Sequence, residues 1–344
     1  MLTALEPHLA WRHHDVKDPD SWTYHLSAAD LSELDAALIQ AKKVSSDLLE
    51  IEQRDFPLSA LAETLTGIEH ELIAGRGFVR IRGLPVERYS DEDLTLLYWG
   101  IGLHLGEPWP QNKHGHLMGD VTDQGKALSD PTFRGNELGQ VALDYHTDGA
   151  DLIGLMCLRS ARSGGLSMVA NAVTIHNDLL AQRPDLLRVL YQPLPYDFRG
   201  EQPEGAKPFY SFPVFTAFEQ RLFVRFIPHY IRASQRHAEA PRLSDTALEA
   251  LDVVSAMARS QEYNISMDLA PGDMQFINNY HVLHGRTAYV DDAQSGYRRH
   301  LKRLWLAAHH LDQRPSQFRR QGRAHWGRIR SQSRIAAVSR TAKH

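Results

Sequence analysis

The sequence predicts a mainly β chain with helical padding, an α+β fold built as a β sandwich or barrel. Three observations carry that expectation. From residue 77 onward, short apolar runs recur between turn signals. Helical periodicity is confined to a few well-capped segments. No Walker loop, no Gly-x-Gly-x-x-Gly and no internal repeat is present, which leaves nucleotide-binding α/β folds and solenoids without support.

Taken in order, the first 76 residues read as helical scaffold. Ser27-Ala-Ala-Asp30 is a capping box, and Leu31, Leu34, Leu38 and Ile39 form an apolar stripe behind it. A second helix is expected over 59–74, carrying Leu61, Leu65, Ile68 and Leu72 and stopping at Gly75. Residues 77–83 alternate apolar and basic side chains, as a half-buried strand does, and a helix follows over 91–105. Residues 107–140 are rich in Gly, Pro and Asn and lack periodicity; a loop this long inside a compact domain reads as a lid. Strands are expected at 152–158 and 166–170 around the turn Arg162-Ser-Gly-Gly165, then at 210–216 and 221–227 around Phe218-Glu-Gln220. Ser244 caps an amphipathic helix, and strands close the chain at 265–269, 273–277 and 298–306. The expected organisation is a helical segment (1–76) packed on a β-rich core (77–313), with a basic tail (314–344).

Composition narrows the classes. With 42% hydrophobic and 23% charged residues, the 344-residue chain is that of an ordinary globular protein. No run of about 18 apolar residues suggests a membrane span and no secretory signal opens the chain, so a cytoplasmic location is expected. Cys157 is the only cysteine, which excludes disulfides and Cys-based metal sites; it lies in an apolar run and reads as a buried hydrophobe. The tail from Arg314 carries nine Lys and Arg and no acid, leaving residues 1–313 at −13 of the total −4. An acidic body argues against a nucleic-acid partner, and a homo-oligomer is compatible with the chain.

The chemistry centres on His146-Thr147-Asp148. On an extended chain, residues two apart face the same side, so an imidazole and a carboxylate can meet one metal ion. A further histidine would complete a two-His-one-carboxylate triad, the donor set of non-haem Fe(II). The second half offers His281 and His284; three apart after the Asn278-Asn279 turn, at most one would join, and spacing leaves the choice open.

The segment from Asn279 to Arg286, followed by Arg298 to Leu306, resembles the closing motif of the taurine dioxygenase and clavaminate-synthase-like superfamily (TauD/TfdA), Fe(II)- and 2-oxoglutarate-dependent oxygenases on a jelly-roll double-stranded β-helix. The likeness spans residues 77–308, in the order His-x-Asp, Gly-Gly-x-Ser, His, Arg. It implies His146, Asp148 and His284 as metal ligands and His281 as a neighbour. It implies Arg299 as the anchor of the 2-oxoglutarate end carboxylate, with Arg298 the alternative one register away, and Ser167 as the hydroxyl partner where the family has Thr. Arg299, Leu301 and Arg303 share one strand face and Arg298, His300 and Lys302 the other. A guanidinium on an inward face suits a carboxylate with two hydrogen bonds.

Because Asp148 is present, where halogenating relatives bind chloride, the resemblance implies oxidative decarboxylation of 2-oxoglutarate to succinate and CO2, using molecular oxygen, with hydroxylation or desaturation of a small substrate. Arg303 matches the position that contacts anionic substrates, so an anionic or amino-acid-like substrate is expected, with Arg286 or Arg298 as alternatives. Tyr145 and Asn279 lie beside ligands and are candidates for substrate contact, with packing or turn formation an equally good account. Residues 111–140 and 199–208 are expected to shape the pocket. A zinc hydrolase with the same triad, an oxygenase acting on protein or RNA, and a non-catalytic jelly-roll module are the competing readings.

Overall fold

The computed structural model describes residues 2–112, 114–125, 139–311 and 313–319. Residues 113 and 126–138 of the expected lid over 111–140, and the basic tail from residue 320 on, lie outside the described residues. The principal elements in chain order are β1 (Thr23–His25), α1 (Ala28–Val44), α2 (Ala60–Ala74), β2 (Phe78–Arg82), α3 (Asp91–Leu105), β3 (Gly106–Pro108), β4 (Met118–Val121), β5 (Leu143–His146), β6 (Leu152–Arg159), β7 (Ser163–Gly164) and β8 (Ser167–Asn171). Then come α4 (Ala172–Gln182), α5 (Pro184–Leu190), β9 (Leu194–Asp197), β10 (Phe209–Phe212), β11 (Phe215–Phe218), β12 (Arg221–Val224), α6 (Pro228–Ala233), α7 (Asp245–Arg259), β13 (Asn264–Met267), β14 (Met274–Asn278), β15 (Val282–Arg286), β16 (Tyr289–Val290), β17 (His300–Ala308) and α8 (Ser316–Arg319).

Two sheets make the sandwich. The larger runs β1-β2-β14-β6-β17-β3, with β4 also on β17; the smaller runs β13-β8-β15-β5. Phe78, Ile153 and Ile277 of the first share one buried cluster with Val169, Ile265 and Val282 of the second, so the inner faces pack on each other. The outer face of the large sheet is covered by α1, α2 and α3, whose Leu34, Leu65 and Leu97 bury with Leu304 and Leu306. The outer face of the small sheet is covered by α4, α5 and α7 through Ile175, Leu187 and Leu251. Central strands of both sheets are therefore apolar toward two layers. No described helix is long and apolar enough to cross a membrane.

Local rules hold at the helix starts. Ser27 Oγ accepts from Asp30 N while Asp30 Oδ2 accepts from Ser27 N, the reciprocal box expected. The stripe of α1 differs from expectation: Ile39 is 59% exposed, and Ala37 and Ala41 join Leu34 and Leu38 in the core. Positions 34, 37, 38 and 41 are the true i, i+3, i+4, i+7 row.

Three strand expectations are corrected. β2 is not half-solvated: Arg80 is buried, its guanidinium 4.7 Å from the Trp22 ring and its Nε donating to Thr23 Oγ1, while Arg82 forms a two-bond pair with Asp273. Residues 210–216 are not one strand, because Pro213 has no N–H to extend the β9–β10 ladder and the chain restarts as β11. The β11–β12 turn has Glu219 and Gln220 at φ 50° and 64°, the left-handed pair a two-residue hairpin requires. The last strand begins at His300 rather than 298, with a register shift against β6 between His300 and Leu301.

Candidate metal centre and the arginine pocket

Among the described residues, β5 lies at the edge of the small sheet and pairs with β15 alone, in a register that sets His146 opposite His284. A bulge follows between His284 and Arg286. Thr147, fully buried, turns away from the pocket: its N–H donates to Phe226 O (2.8 Å) and its Oγ1 accepts from Phe226 N (2.9 Å). That clamp leaves His146 and Asp148 on the same side, as the period of two requires.

The three side chains converge. Asp148 Oδ1 is 3.9 Å from His146 Nε2, Asp148 Oδ2 is 3.7 Å from His284 Nε2, and the ring centroids are 4.3 Å apart. One ligand atom from each lies within 4.8 Å of the others, the only such group of three or more among the described residues. One cation with bonds of about 2.0–2.2 Å can span the two His–Asp separations. Burial pushes His146 down to about 4, helped by His284 and opposed in part by Asp148, so its ring is neutral at neutral pH and keeps a lone pair. Its Nδ1 lies 2.8 Å from Asp144 O, which suits an Nδ1–H tautomer with Nε2 toward the centre. Burial would raise Asp148, but its hydrogen bond with His284 and the charge of Arg303 hold it well below the usual carboxylate range.

Asp148 is fixed from several sides. Asn279 Oδ1 accepts from Asp148 N (2.7 Å), and Asn279 Nδ2 donates to the carbonyls of Asp148 and Ala150 (both 2.8 Å). Trp305 Nε1 donates to Asp148 Oδ2 (3.1 Å), and Arg225 Nη1 donates to Asp148 O (3.4 Å).

A cavity of about 510 Å³, its mouth included, is lined by His146, Asp148, His284, Ser167, Arg286, Arg299 and Arg303 together with apolar Val121, Leu143, Ile153, Leu155 and Leu301. Arg299 is 5% exposed; its Nη2 reaches Gly165 O at 3.3 Å, its Cζ lies 5.0 Å from the Tyr289 ring centre, and its Nη1 is buried without a hydrogen-bond partner. A buried guanidinium N–H left over is costly unless a ligand meets it. Gly165 explains the double glycine: at φ +76°, a Cβ there would stand 2.8 Å from Arg299 Nε. Ser167 Oγ donates to Gln275 Oε1 (2.6 Å). Arg286 donates to the carbonyls of Thr287 and Val141 and lies over the other contact of Tyr289, 4.7 Å from its ring; burial and then Arg299 push it down to about 10. Arg303 binds Gln111 Oε1 through Nε (2.8 Å) and brings Nη1 to 3.8 Å from Asp148 Oδ2.

The structure thus brings together seven of the ten residues singled out by sequence. Three fall elsewhere. Arg298 is exposed and does not line the cavity, because β17 turns the 299, 301, 303 face inward. Tyr145 is buried in the helix-side core, on the face opposite His146. Asn279 sits behind Asp148 and holds its backbone instead of facing a substrate. His281, the passed-over histidine, pairs with buried Glu6 at 3.1 Å. Cys157 is buried in the core, its thiol pushed up to about 11 by burial. Trp305, Gln111 and Gln275 were missed; continuing the period of two from Arg299 through Arg303 would have found Trp305.

Comparison with known proteins now bears on this geometry. A family model described as taurine catabolism dioxygenase TauD, TfdA family, matches residues 41–305. FR-33289 synthase of Streptomyces rubellomurinus is 31% identical over 299 residues, covering 86% of this chain and 88% of that protein. Two crystal structures share the fold. An asparagine oxygenase bound to Fe(II), 3-hydroxyasparagine and succinate aligns with TM-score 0.63 at 19% identity, over 83% of this chain and 93% of its own. The non-heme iron oxygenase OrfP bound to Fe, succinate and (3S)-hydroxy-L-Arg aligns with TM-score 0.61 at 18% identity, over 83% and 94%.

Proposed function

The chain belongs to the TauD/TfdA family of Fe(II)- and 2-oxoglutarate-dependent dioxygenases, and from that premise we propose how its own residues divide the work. His146, Asp148 and His284 hold the iron; Arg299, with Ser167 beside it, takes the end carboxylate of 2-oxoglutarate; Arg303 faces the primary substrate. The observation that carries this reading is the coincidence, in one cavity, of the three converging donors and a buried Arg299 Nη1 without a partner. The donor set, two imidazoles and one carboxylate, suits Fe(II).

When bound, iron and 2-oxoglutarate supply oxidative decarboxylation to succinate and CO2 coupled to hydroxylation of a C–H bond. The protein supplies placement. The β5–β15 register fixes the two imidazoles across one ladder, and Asn279 holds both peptide groups around Asp148. Apolar Leu143, Ile153, Leu155 and Leu301 limit water along the cavity between the arginines and the donors.

The substrate is small and anionic or amino-acid-like. Three guanidinium groups line the cavity and balance Asp148 and one dicarboxylate co-substrate, so the charge of a bound Fe(II) would be left over to favour an anionic substrate. The asparagine and hydroxyarginine named in the two structural relatives point to an amino-acid class.

The test is anaerobic addition of Fe(II) and 2-oxoglutarate to the metal-free protein. A visible metal-to-ligand charge-transfer band, absent in His146→Ala, is the expected result. Fully loaded iron with no band would overturn the assignment.

A further inference from the structure

Trp305 has no part in the assignments above, yet it touches the candidate metal centre directly. It follows Arg299, Leu301 and Arg303 on the pocket face of β17, while Leu304 and Leu306 on the opposite face bury under the helices. Its indole Nε1 stands 3.1 Å from Asp148 Oδ2. The indole N–H is a donor only, so a carboxylate oxygen is a partner it can keep.

The ring itself is held in place. Its backbone carbonyl accepts from Trp109 N (2.7 Å), and the Arg303 guanidinium lies 5.3 Å from the ring centre. Gly149, next to Asp148, is where the ring comes closest: a Cβ there would be 3.3 Å from Cζ3 and 3.6 Å from Cη2 of Trp305. The ring can lie against the metal motif because that residue has no side chain. Asp148 Oδ2 thus receives the indole N–H, has Arg303 Nη1 at 3.8 Å and lies 3.7 Å from His284 Nε2, whereas Oδ1 lies 3.9 Å from His146 Nε2.

We infer that Trp305 is a positioning residue that holds Oδ2 and so fixes the rotation of the Asp148 carboxylate between the two imidazoles. A carboxylate free to rotate would cover a position that a two-His-one-carboxylate centre leaves open for its co-substrates. The inference rests on Asp148 being a ligand, and deepens that reading from which residue binds to what holds its carboxylate.

The experiment removes the N–H and keeps the shape. Trp305→Phe is compared with 3-benzothienylalanine at position 305, in which sulfur replaces the indole N–H, each loaded with Fe(II) without oxygen. The expected result is that 2-oxoglutarate saturates the charge-transfer band at about tenfold higher concentration in both variants, the scale of losing a hydrogen bond to a ligand. Fe(II) affinity is expected to hold or rise, and the benzothienyl protein to keep the wild-type melting temperature. Band titrations within twofold of wild type would overturn the inference, as would a parallel fall of iron affinity and melting temperature in both variants, which marks general loss of packing. If Asp148 is not a ligand, the wild-type protein itself gives no band, so the two failures are distinguishable.

Discussion

The two ends of the cavity use arginine in opposite ways. At the inner end, Arg286 and Arg299 both contact Tyr289, both are 5% exposed and both are lowered by burial. Arg286 donates to two backbone carbonyls, those of Thr287 and Val141, and Arg299 to one, that of Gly165. At the outer end, Arg303 shares its charge among Gln111, Trp305 and Asp148. Residue type and location are thus nearly constant, and the backbone acceptors differ, two for Arg286 and one for Arg299.

That contrast can be broken or sharpened by five substitutions. The largest effect is expected for Arg299→Ala, which should raise the 2-oxoglutarate concentration that half-saturates the charge-transfer band by about 100-fold, the cost of truncating one partner of a buried charge pair. Arg298→Ala should leave it unchanged; equal shifts would mean that exposure misidentifies the anchor. Arg286→Gln should act on stability, costing about 1–3 kcal/mol in denaturant titration because the Val141 and Thr287 carbonyls lose charged donors. A large rise in the 2-oxoglutarate requirement without destabilisation would exchange the roles of the two arginines. Arg303→Ala should raise the KM of an anionic substrate about tenfold while the 2-oxoglutarate titration holds, measured once a substrate is found by succinate release. Ser167→Ala should be mildest, about fivefold on 2-oxoglutarate, since its hydrogen is already shared with Gln275.

Much of this was legible in the sequence because two short-range rules govern it. A period of two brings His146 and Asp148 together and turns Arg298 outward, and the capping box at Ser27 starts α1 where it should. The same period, applied consistently, would have sent Tyr145 into the core with Thr147 and drawn Trp305 into the pocket. Other features depend on distant partners. Asn279 looks like a turn residue by sequence, and only the packing of the β14–β15 turn against Asp148 makes it a ligand's backbone clamp. β1, three residues long, is a strand only because β2 lies beside it in parallel register. The splitting of 210–216 and the burial of Arg80 on Trp22 likewise follow from what the rest of the chain brings to those positions.

The position of β5 at the sheet edge has a consequence for folding. Among the described residues its one ladder is to β15, so there the strand bearing His146 is held on one side by few backbone bonds. A cation gripped by His146 and His284 would act as a cross-link between distant points of the chain, closing the loop between them as a staple does. Removing it with a chelator should lower the melting temperature by more as the added metal concentration rises above its dissociation constant. Amide exchange at residues 143–146 should accelerate first, reporting an edge strand whose fastening is inorganic.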